Sequence, residues 1–162
     1  MAKVLIAGGA GFIGSHTCLV LLEAGHRLVV FDNFSTSSPD SLRRLLEIAP
    51  PGSSGRLTLV EGDIRDREAL DRAFALGGSP FDAVIHFAGL KSVEQSVREP
   101  LHYWDVNVAG SRSLLSAMAD HACHTLVFSS SATVYGYPER IPIPENAAVQ
   151  PINPYEIGRA HV

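Results

Sequence analysis

Several features that the sequence lacks exclude whole classes of protein. The two cysteines, Cys18 and Cys123, are far apart and form no Cys-x-x-Cys pair, so neither a disulfide framework nor a cysteine zinc site is expected. The seven histidines have no metal-ligand spacing, so we expect no metal. The N-terminal apolar run, residues 4–7, is too short for a signal peptide or a membrane span. The net charge of −4 gives no basic surface for nucleic acid or anionic lipid. We therefore expect a cytoplasmic protein that binds neither nucleic acid nor membrane.

Short apolar runs alternate with amphipathic stretches along the 162 residues, a length that favours one domain. We predict strands at residues 4–7, 27–31, 57–60, 83–87 and 125–128. We predict helices at residues 13–24, 41–48, 66–75 and 101–121. The strands are continuous apolar runs, which indicates that both faces of the sheet are covered. The alternation predicts an α/β fold with a Rossmann-type, doubly wound parallel sheet, in which ligands bind beyond the carboxyl ends of the strands.

A glycine-rich turn follows the first predicted strand. Gly9, Gly11 and Gly14 match Gly-x-Gly-x-x-Gly, and Gly8, Gly11 and Gly14 match Gly-x-x-Gly-x-x-Gly. Glycines in this place permit a tight turn, a close approach of a pyrophosphate to the backbone, and close helix–strand packing. The following helix directs its free N–H groups toward the phosphates. The context, strand before and helix after, predicts a dinucleotide site.

The second strand is followed by Asp32, whose carboxylate is suited to accept hydrogen bonds from the adenosine ribose hydroxyls. A carboxylate there repels a 2′-phosphate, which favours NAD over NADP. Arg43 and Arg44 leave NADP open as an alternative, since they could pair with that phosphate. Asp63 follows the third strand, where it can reach the adenine amino group or cap the next helix.

Hydroxyl-bearing side chains follow the fifth strand. Ser131 lies in a serine run after that strand, and Tyr155 follows in Pro-Ile-Asn-Pro-Tyr. A serine and a tyrosine hydroxyl that converge on a carbinol can move a proton while NAD accepts a hydride. The tyrosine needs a nearby cation, because its reference pKa is about 10. Turn formation and simple packing remain alternatives for these residues.

The chain resembles the UDP-glucose 4-epimerases of the extended short-chain dehydrogenase/reductase superfamily. The matching stretches cover nearly all of the chain up to Tyr155; they are GGAGFIGSHTCLVLLEAGH, FDN, VEGDIRD, VIHFAGLKSVEQSVREPLHYW, FSSSATVYG and PINPY. The glycine motif is widely shared, whereas HFAGLKSV and SSSATVYG are much more specific to the 4-epimerases.

The resemblance implies interconversion of UDP-glucose and UDP-galactose through transient oxidation at C4. It implies that Tyr155 takes the proton from the sugar 4-hydroxyl, that Ser131 binds the same oxygen, and that NAD stays tightly bound. Asn107 would brace the long helix. The cofactor-binding residues that it implies are Gly8, Gly11, Phe12, Ile13, Gly14, Asp32, Asn33, Asp63, Ile64, Phe87, Ala88, Gly89 and Lys91.

The resemblance ends after Tyr155. The family has Tyr-x-x-x-Lys, whereas this chain has Arg159 in the lysine position, and arginine is not a conservative replacement there. We therefore interpret residues 1–155 as an incomplete NAD-binding domain, truncated after the fifth strand and the catalytic loop. Residues 156–162 are interpreted as a non-native tail, and the family's C-terminal sugar-nucleotide domain as absent. We expect the isolated fragment to lack epimerase activity.

Two other functions stay open. Related sugar-nucleotide 4,6-dehydratases place an Asp-Glu pair where this chain has Ala132 and Thr133, neither of which is an acid. A non-catalytic NAD-binding module is the other alternative, and the missing lysine is its best support. The resemblance also implies a UDP-sugar substrate and a homodimeric parent, whereas we expect no stable dimer from the fragment.

Overall fold

The computed structural model of the chain describes residues 1–76 and 78–160, which contain one five-stranded parallel sheet. The strands lie in the order β3-β2-β1-β4-β5. They are β1 (Lys3–Ala7), β2 (Arg27–Asp32), β3 (Leu57–Glu61), β4 (Ala83–His86) and β5 (Leu126–Phe128). The chain order reverses between β1 and β4, and this is the switch point where ligands bind in such sheets. The predicted fold class is confirmed.

Seven α-helices are described in these residues. They are α1 (Phe12–Glu23), α2 (Pro39–Ile48), α3 (Arg67–Ala75), α4 (Val93–Arg98), α5 (Pro100–Trp104), α6 (Gly110–Asp120) and α7 (Pro154–Ala160). Two short 3₁₀ turns, Ser53–Arg56 and Ala132–Tyr135, precede β3 and follow β5. Helix starts follow local chemistry. The Ser38 hydroxyl accepts from the N–H of Asp40 before α2, and the Asp66 carboxylate accepts from the N–H of Ala69 in α3.

Two separate apolar clusters cover the faces of the sheet. Helices α3 and α6 pack on one face, against side chains that include Leu5 and Phe31. Helices α1 and α2 pack on the other, against Ile6 and Val30. The edge strands are less well covered, since Val127 in β5 is 55% exposed. The expectation that both faces are covered is therefore correct for the central strands and wrong at the edges.

The predicted long helix is present with an interruption. Residues 100–120 are helical throughout, but Asp105–Ala109 form a π-helical turn between α5 and α6. Asn107 lies in this turn and is 1% exposed. A π turn adds one residue to the helical repeat, and such turns are common at functional sites. The apolar periodicity of the sequence does not report this local change, nor did it predict the short helices α4 and α7.

His86, in β4, is a core histidine. Its imidazole is 1% exposed, and its Nε2 lies 2.8 Å from Ser111 Oγ. The Ser111 hydroxyl donates to the carbonyl oxygen of Asn107, so it accepts the hydrogen from Nε2 and the ring is the neutral Nε2–H tautomer. Nδ1 has no partner among the described residues. Burial, then the positive charges of Arg159 and Lys91, lowers the pKa of His86 to about 3.

We expect acid to destabilise the fold through His86. Because the pKa is lowered in the folded state, its contribution is present above the unfolded pKa of about 6.5 and is lost as the pH falls toward 3. Between pH 7 and pH 5 this one group removes about 2 kcal/mol of stability. Urea unfolding monitored by circular dichroism at several pH values measures the loss.

The comparison for this prediction is His86→Gln, which keeps a donor toward Ser111 but does not titrate. Its stability should fall less steeply between pH 7 and pH 5, whereas the exposed control His124→Gln should follow the wild type. Equal pH dependence of all three proteins would show that His86 is not the group responsible.

Candidate functional site

A cleft of about 520 Å³ lies at the carboxyl ends of the strands. It brings together all the residues expected to bind a cofactor. These are Gly8, Gly11, Phe12, Ile13, Gly14, Asp32, Asn33, Asp63, Ile64, Phe87, Ala88, Gly89 and Lys91. They come from the ends of β1 to β4 and from the start of α1. That they bind a cofactor remains a prediction, but the structure places them on one surface.

The glycine turn leaves no room for side chains at two of its positions. Gly8 has φ +78°, and a Cβ there would lie 2.5 Å from the backbone nitrogen of Ala88. A Cβ on Gly14 would overlap the carbonyl oxygen of Gly8. Gly9 faces the core instead, where a Cβ would meet the side chains of Val30 and Ile6. Of the two glycine spacings, the one at 8, 11 and 14 thus forms the cleft, and Gly9 is a packing residue.

Helix α1 begins at this cleft without a side-chain cap. Its N-cap residue is Gly11, and its first turn contains no acidic residue. Phe12 and Ile13 line the cleft, so the first-turn N–H groups and the positive end of the helix dipole lie beside it. An anion can satisfy N–H groups that no side chain of the cap reaches.

Asp32 is held in place by three hydrogen bonds from the protein. Its Oδ2 accepts from the N–H of Ala10 (2.9 Å). Its Oδ1 accepts from the N–H of Phe34 (2.9 Å) and from the hydroxyl of Ser37 (2.8 Å). The side chain therefore ties the end of β2 to the glycine turn and, since a carboxylate has about four acceptor sites, keeps capacity for one more donor. It is nearly buried, with 8% of its surface exposed.

Asp63 is more fully occupied. Its Oδ1 accepts from the backbone N–H and from Nε of Arg65, both at 2.9 Å. Its Oδ2 accepts from Nη2 of Arg65 (2.8 Å) and from Nδ2 of Asn33 (2.9 Å). These hydrogen bonds, chiefly those of Arg65, hold the pKa of Asp63 well below its usual range. Asp63 does not cap α3, since that position belongs to Asp66.

Arg65 also pairs with Asp105 at 2.6 Å. This arginine therefore bridges the turn after β3 and the π turn of the long helix. For adenine to donate to Asp63, one of the present donors has to move. The Asn33 amide is the simplest to displace, because it is a single neutral donor on a cleft-lining side chain.

The predicted catalytic residues lie beyond the carboxyl end of β5, the outermost strand on the β4 side of the sheet. Ser131 precedes the 3₁₀ turn that follows β5, and α7, which contains Tyr155, packs against that turn. The Ser131 hydroxyl lies 2.8 Å from the Thr133 hydroxyl and accepts from the N–H of Thr133. The cleft lining itself contains neither Ser131 nor Tyr155. Their catalytic roles remain predictions.

Arg159 lies one helical turn after Tyr155 and next to its side chain. Its guanidinium is buried, it donates through Nη2 to the carbonyl oxygen of Ala88 (3.2 Å), and Nη1 has no partner among the described residues. Burial lowers the pKa of Arg159, and Tyr155 opposes that shift. Residues 154–160 form α7, and residues 161 and 162 lie outside the described residues. The non-native origin of residues 156–162 remains a prediction.

Several cleft residues were missed in the sequence. After β2 they are the hydroxyl-bearing residues Ser35, Thr36 and Ser37, and around the long helix they are Ser92, Gln95, Tyr103 and Val106. The run of hydroxyl-bearing residues could have been recognised in the sequence as part of the cleft, because it follows Asp32 at the end of β2. Tyr103 gives a weaker signal, because the helical pattern accounts for its buried ring and not for its hydroxyl.

Arg43 and Arg44, the two arginines that left NADP open, lie outside the cleft lining. Arg43 pairs instead with Asp40 and Glu47 along α2. Among residues 1–76 and 78–160, no group of His, Cys, Asp and Glu side chains is placed to hold a metal ion. No helix in the same part of the chain is long and apolar enough to cross a membrane.

Comparison with known proteins agrees with the motifs. UDP-glucose 4-epimerase 2 of Arabidopsis thaliana is 52% identical over 157 residues, which is 96% of this chain and 44% of the relative. UDP-glucose 4-epimerase 3 of Oryza sativa subsp. japonica is 48% identical over 95% of the chain and 41% of its own length. The chain thus spans less than half the length of these relatives.

Solved structures support the same resemblance to UDP-glucose 4-epimerases. A UDP-glucose 4-epimerase of Stenotrophomonas maltophila, with bound NAD and formylated UDP-arabinopyranose, superposes with a TM-score of 0.91 at 40% identity over 99% of this chain and 46% of that one. The enzyme of Bifidobacterium longum, in complex with NAD⁺ and UDP, gives 0.90 at 40% identity over 98% and 46%. The predicted resemblance to UDP-glucose 4-epimerases is confirmed. A family profile described as GDP-mannose 4,6 dehydratase matches residues 5–162. The chain therefore belongs to the GDP-mannose 4,6 dehydratase family.

Proposed function

We propose that this chain is the NAD-binding part of a UDP-glucose 4-epimerase, an isomerase that interconverts UDP-glucose and UDP-galactose. The observation that carries the proposal is the cleft itself. A glycine turn that excludes side chains, an uncapped helix start and a nearly buried Asp32 face one space, and these are the three features that a dinucleotide needs. The NAD-bound epimerases that superpose on this fold support the choice of cofactor.

The residues present fit NAD at both ends of its diphosphate. A Cβ at Gly8 or Gly14 would overlap protein backbone, so these two glycines permit the tight turn that brings the start of α1 to the cleft. A pyrophosphate can then approach the first N–H groups of that helix. Asp32 has one remaining acceptor position for the adenosine ribose, and its negative charge disfavours the 2′-phosphate of NADP. Asp63 and Asn33 line the adenine end, and Lys91 lies on the opposite side of the switch point.

The proposed mechanism assigns two hydroxyl groups to the sugar. Bound NAD supplies reversible hydride acceptance at C4 of the sugar. Tyr155 Oη takes the proton of the 4-hydroxyl, and Ser131 Oγ hydrogen-bonds the same oxygen as it becomes a carbonyl. Thr133, whose N–H donates to Ser131 Oγ, orients that hydroxyl. After the 4-keto sugar has turned over, Tyr155 would return the proton to its 4-oxygen, so the tyrosine ends the cycle in its starting state.

A dehydratase is the second candidate, because the family profile bears that description. Elimination of water requires an acid and a base beside the sugar, beyond the tyrosine and the serine. The turn after Ser131 continues with Ala132 and Thr133, whose side chains supply neither. The relatives that are named UDP-glucose 4-epimerases, whose sequences are about 50% identical to this chain, also favour epimerisation.

We expect NAD binding to depend on the charge of Asp32. The conservative change Asp32→Asn keeps the shape but replaces one carboxylate oxygen by a donor, and it should weaken NAD binding roughly tenfold or more. Wild-type protein should bind NADP much more weakly than NAD. Isothermal titration calorimetry with both nucleotides measures these differences.

A matched control for Asp32→Asn is Asp120→Asn, an exposed residue at the end of α6 that should bind NAD like the wild type. Circular dichroism of each variant tests that it is folded. A folded wild-type chain that binds NAD and NADP equally, or binds neither, would contradict the assignment of the cleft.

A chimera tests the reaction. Residues 1–155 of this chain, followed by the aligned C-terminal portion of the Arabidopsis thaliana relative, should convert UDP-galactose into UDP-glucose. In that chimera Tyr155→Phe and Ser131→Ala should lower kcat by about 100- to 10,000-fold, because each removes a group that acts on the 4-oxygen. The 162-residue chain alone should show no conversion in the same coupled assay.

Tyr137→Phe, which removes an exposed phenol outside the cleft lining, is the matched control in the chimera. Its kcat should equal that of the unmodified chimera. An active chimera that is unaffected by Tyr155→Phe would refute the catalytic assignment, and dehydration of the UDP-sugar would favour the second candidate.

We also assign a face for pairing of the parent enzyme. Leu101 (83% exposed), Trp104 (52%) and Leu115 (39%) lie along the outer side of α5 and α6, with the half-buried Val108 between them. Apolar side chains repeating at this spacing on a helix form a stripe suited to a second copy.

For the 162-residue chain we expect only weak self-association through this stripe. Leu101→Glu should remove it, since a charge would be buried between the copies. Sedimentation velocity over a range of protein concentrations measures the effect, with the loop variant Ile141→Glu (84% exposed) as control. Equal self-association of both variants would place the contact elsewhere.

A further inference from the structure

Hydrogen bonds attach the loop after β4, residues 87–92, at its start, in its middle and at its end. At its start, the N–H groups of Phe87 and Ala88 donate to the carbonyl oxygen of Ala7, and Arg159 Nη2 donates to the carbonyl oxygen of Ala88 (3.2 Å). In its middle, Leu90 donates its N–H to Asn107 Oδ1 (2.8 Å) and accepts at its carbonyl from Asn107 Nδ2 (2.9 Å). At its end, the N–H of Ser92 donates to the Tyr103 hydroxyl (3.0 Å).

The third attachment is a single side-chain atom. Tyr103 belongs to α5, is 1% exposed, and lies against the cleft. Its hydroxyl accepts from Ser92 and donates to Gln95 Oε1 (3.3 Å). Ser92 in turn caps α4 by accepting from the N–H of Gln95. Among residues 1–76 and 78–160, the Tyr103 hydroxyl therefore hydrogen-bonds the end of this loop and the helix that follows it.

The loop lies over one half of the cleft. Because β4 is on the opposite side of β1 from β2 and β3, the adenosine half faces β2 and β3 and the nicotinamide half faces β4. Gly89 and Lys91 line that second half. Lys91 stands between the Leu90 and Ser92 attachments, so the positions of these two backbone groups determine where its side chain begins.

Resting on the proposed NAD site, we propose that Tyr103 is a positioning residue for the nicotinamide half of the cofactor. Its hydroxyl fixes the 87–92 loop, and through it Lys91 and Gly89, in the geometry that accepts the nicotinamide nucleoside. The ring of Tyr103 fills the core, as a phenylalanine would. The hydroxyl has a separate role, since its two hydrogen-bond partners in the described part of the chain belong to the loop and to α4.

The test compares two ligands that differ only in that half. ADP carries the adenosine and the diphosphate, whereas NAD adds the nicotinamide nucleoside. In Tyr103→Phe the N–H of Ser92 loses its acceptor, and we expect NAD affinity to fall about tenfold while ADP affinity changes less than about twofold. Calorimetry on the purified chain with each ligand measures both, and Tyr137→Phe, on an exposed phenol, should change neither.

A double-mutant cycle tests the bond itself. Ser92 has φ −78°, which proline can adopt, so Ser92→Pro removes the N–H while Ser92→Ala removes only the hydroxyl that caps α4. In the Ser92→Pro background, Tyr103→Phe should cause no further loss of NAD affinity. In the Ser92→Ala background it should cause the full loss.

The outcomes separate this inference from the proposed function. If the wild-type chain binds neither NAD nor ADP, the proposed cofactor site itself fails. If it binds both, equal losses for NAD and ADP in Tyr103→Phe would reduce the hydroxyl to a structural role, and no loss for either would refute the inference. Full additivity in the Ser92→Pro background would do the same.

Discussion

The carbonyl oxygen of Ala7 accepts two hydrogen bonds, from the N–H of Phe87 (2.8 Å) and from the N–H of Ala88 (2.9 Å). This contact joins the ends of β1 and β4, the two neighbouring strands between which the chain order of the sheet reverses. It requires the backbone of the glycine turn to contact the backbone of the loop after β4, because a Cβ at Gly8 would come within 2.5 Å of the Ala88 nitrogen. The glycine turn, the start of α1 and the loop after β4 can enclose one cleft only because this approach is close.

Both cleft carboxylates, Asp32 and Asp63, are hydrogen-bonded to protein groups that hold the walls of the cleft together. Asp32 holds the glycine turn through Ala10 and the following turn through Ser37, so its orientation toward the cleft needs no reorganisation. Asp63 is held by Arg65, whose second ion pair, with Asp105, reaches the long helix. These carboxylates are preorganised, and preorganised groups lose less conformational entropy when a ligand binds.

The sequence predicted the features that depend on local pattern. The doubly wound parallel sheet followed from apolar runs separated by helices. The glycine turn, Asp32 and Asp63 followed from their positions directly after strands, whereas the full set of cleft residues was implied by the family resemblance. The sequence did not distinguish Gly9 from Gly8, because which of them faces the core depends on the contact of Gly9 with Val30 and Ile6.

The sequence did not predict the π turn, since the side chain of Asn107 is held by hydrogen bonds to Leu90, which lies in a different segment of the chain. Tyr103 was missed for the same reason: its ring follows the helical pattern, whereas its hydroxyl follows the tertiary structure.

The π turn connects the core chemistry to the cleft. From His86 in β4, hydrogen bonds continue through Ser111 to the carbonyl oxygen of Asn107, and the Asn107 side chain holds Leu90. The carbonyl is available to Ser111 and the side chain is directed to the loop within one π-helical turn. The extra residue of the π turn changes the rotation between α5, which carries Tyr103, and α6, which carries Ser111. One series of hydrogen bonds therefore joins the buried neutral histidine, the irregular helix and the loop beside the nicotinamide half of the cleft.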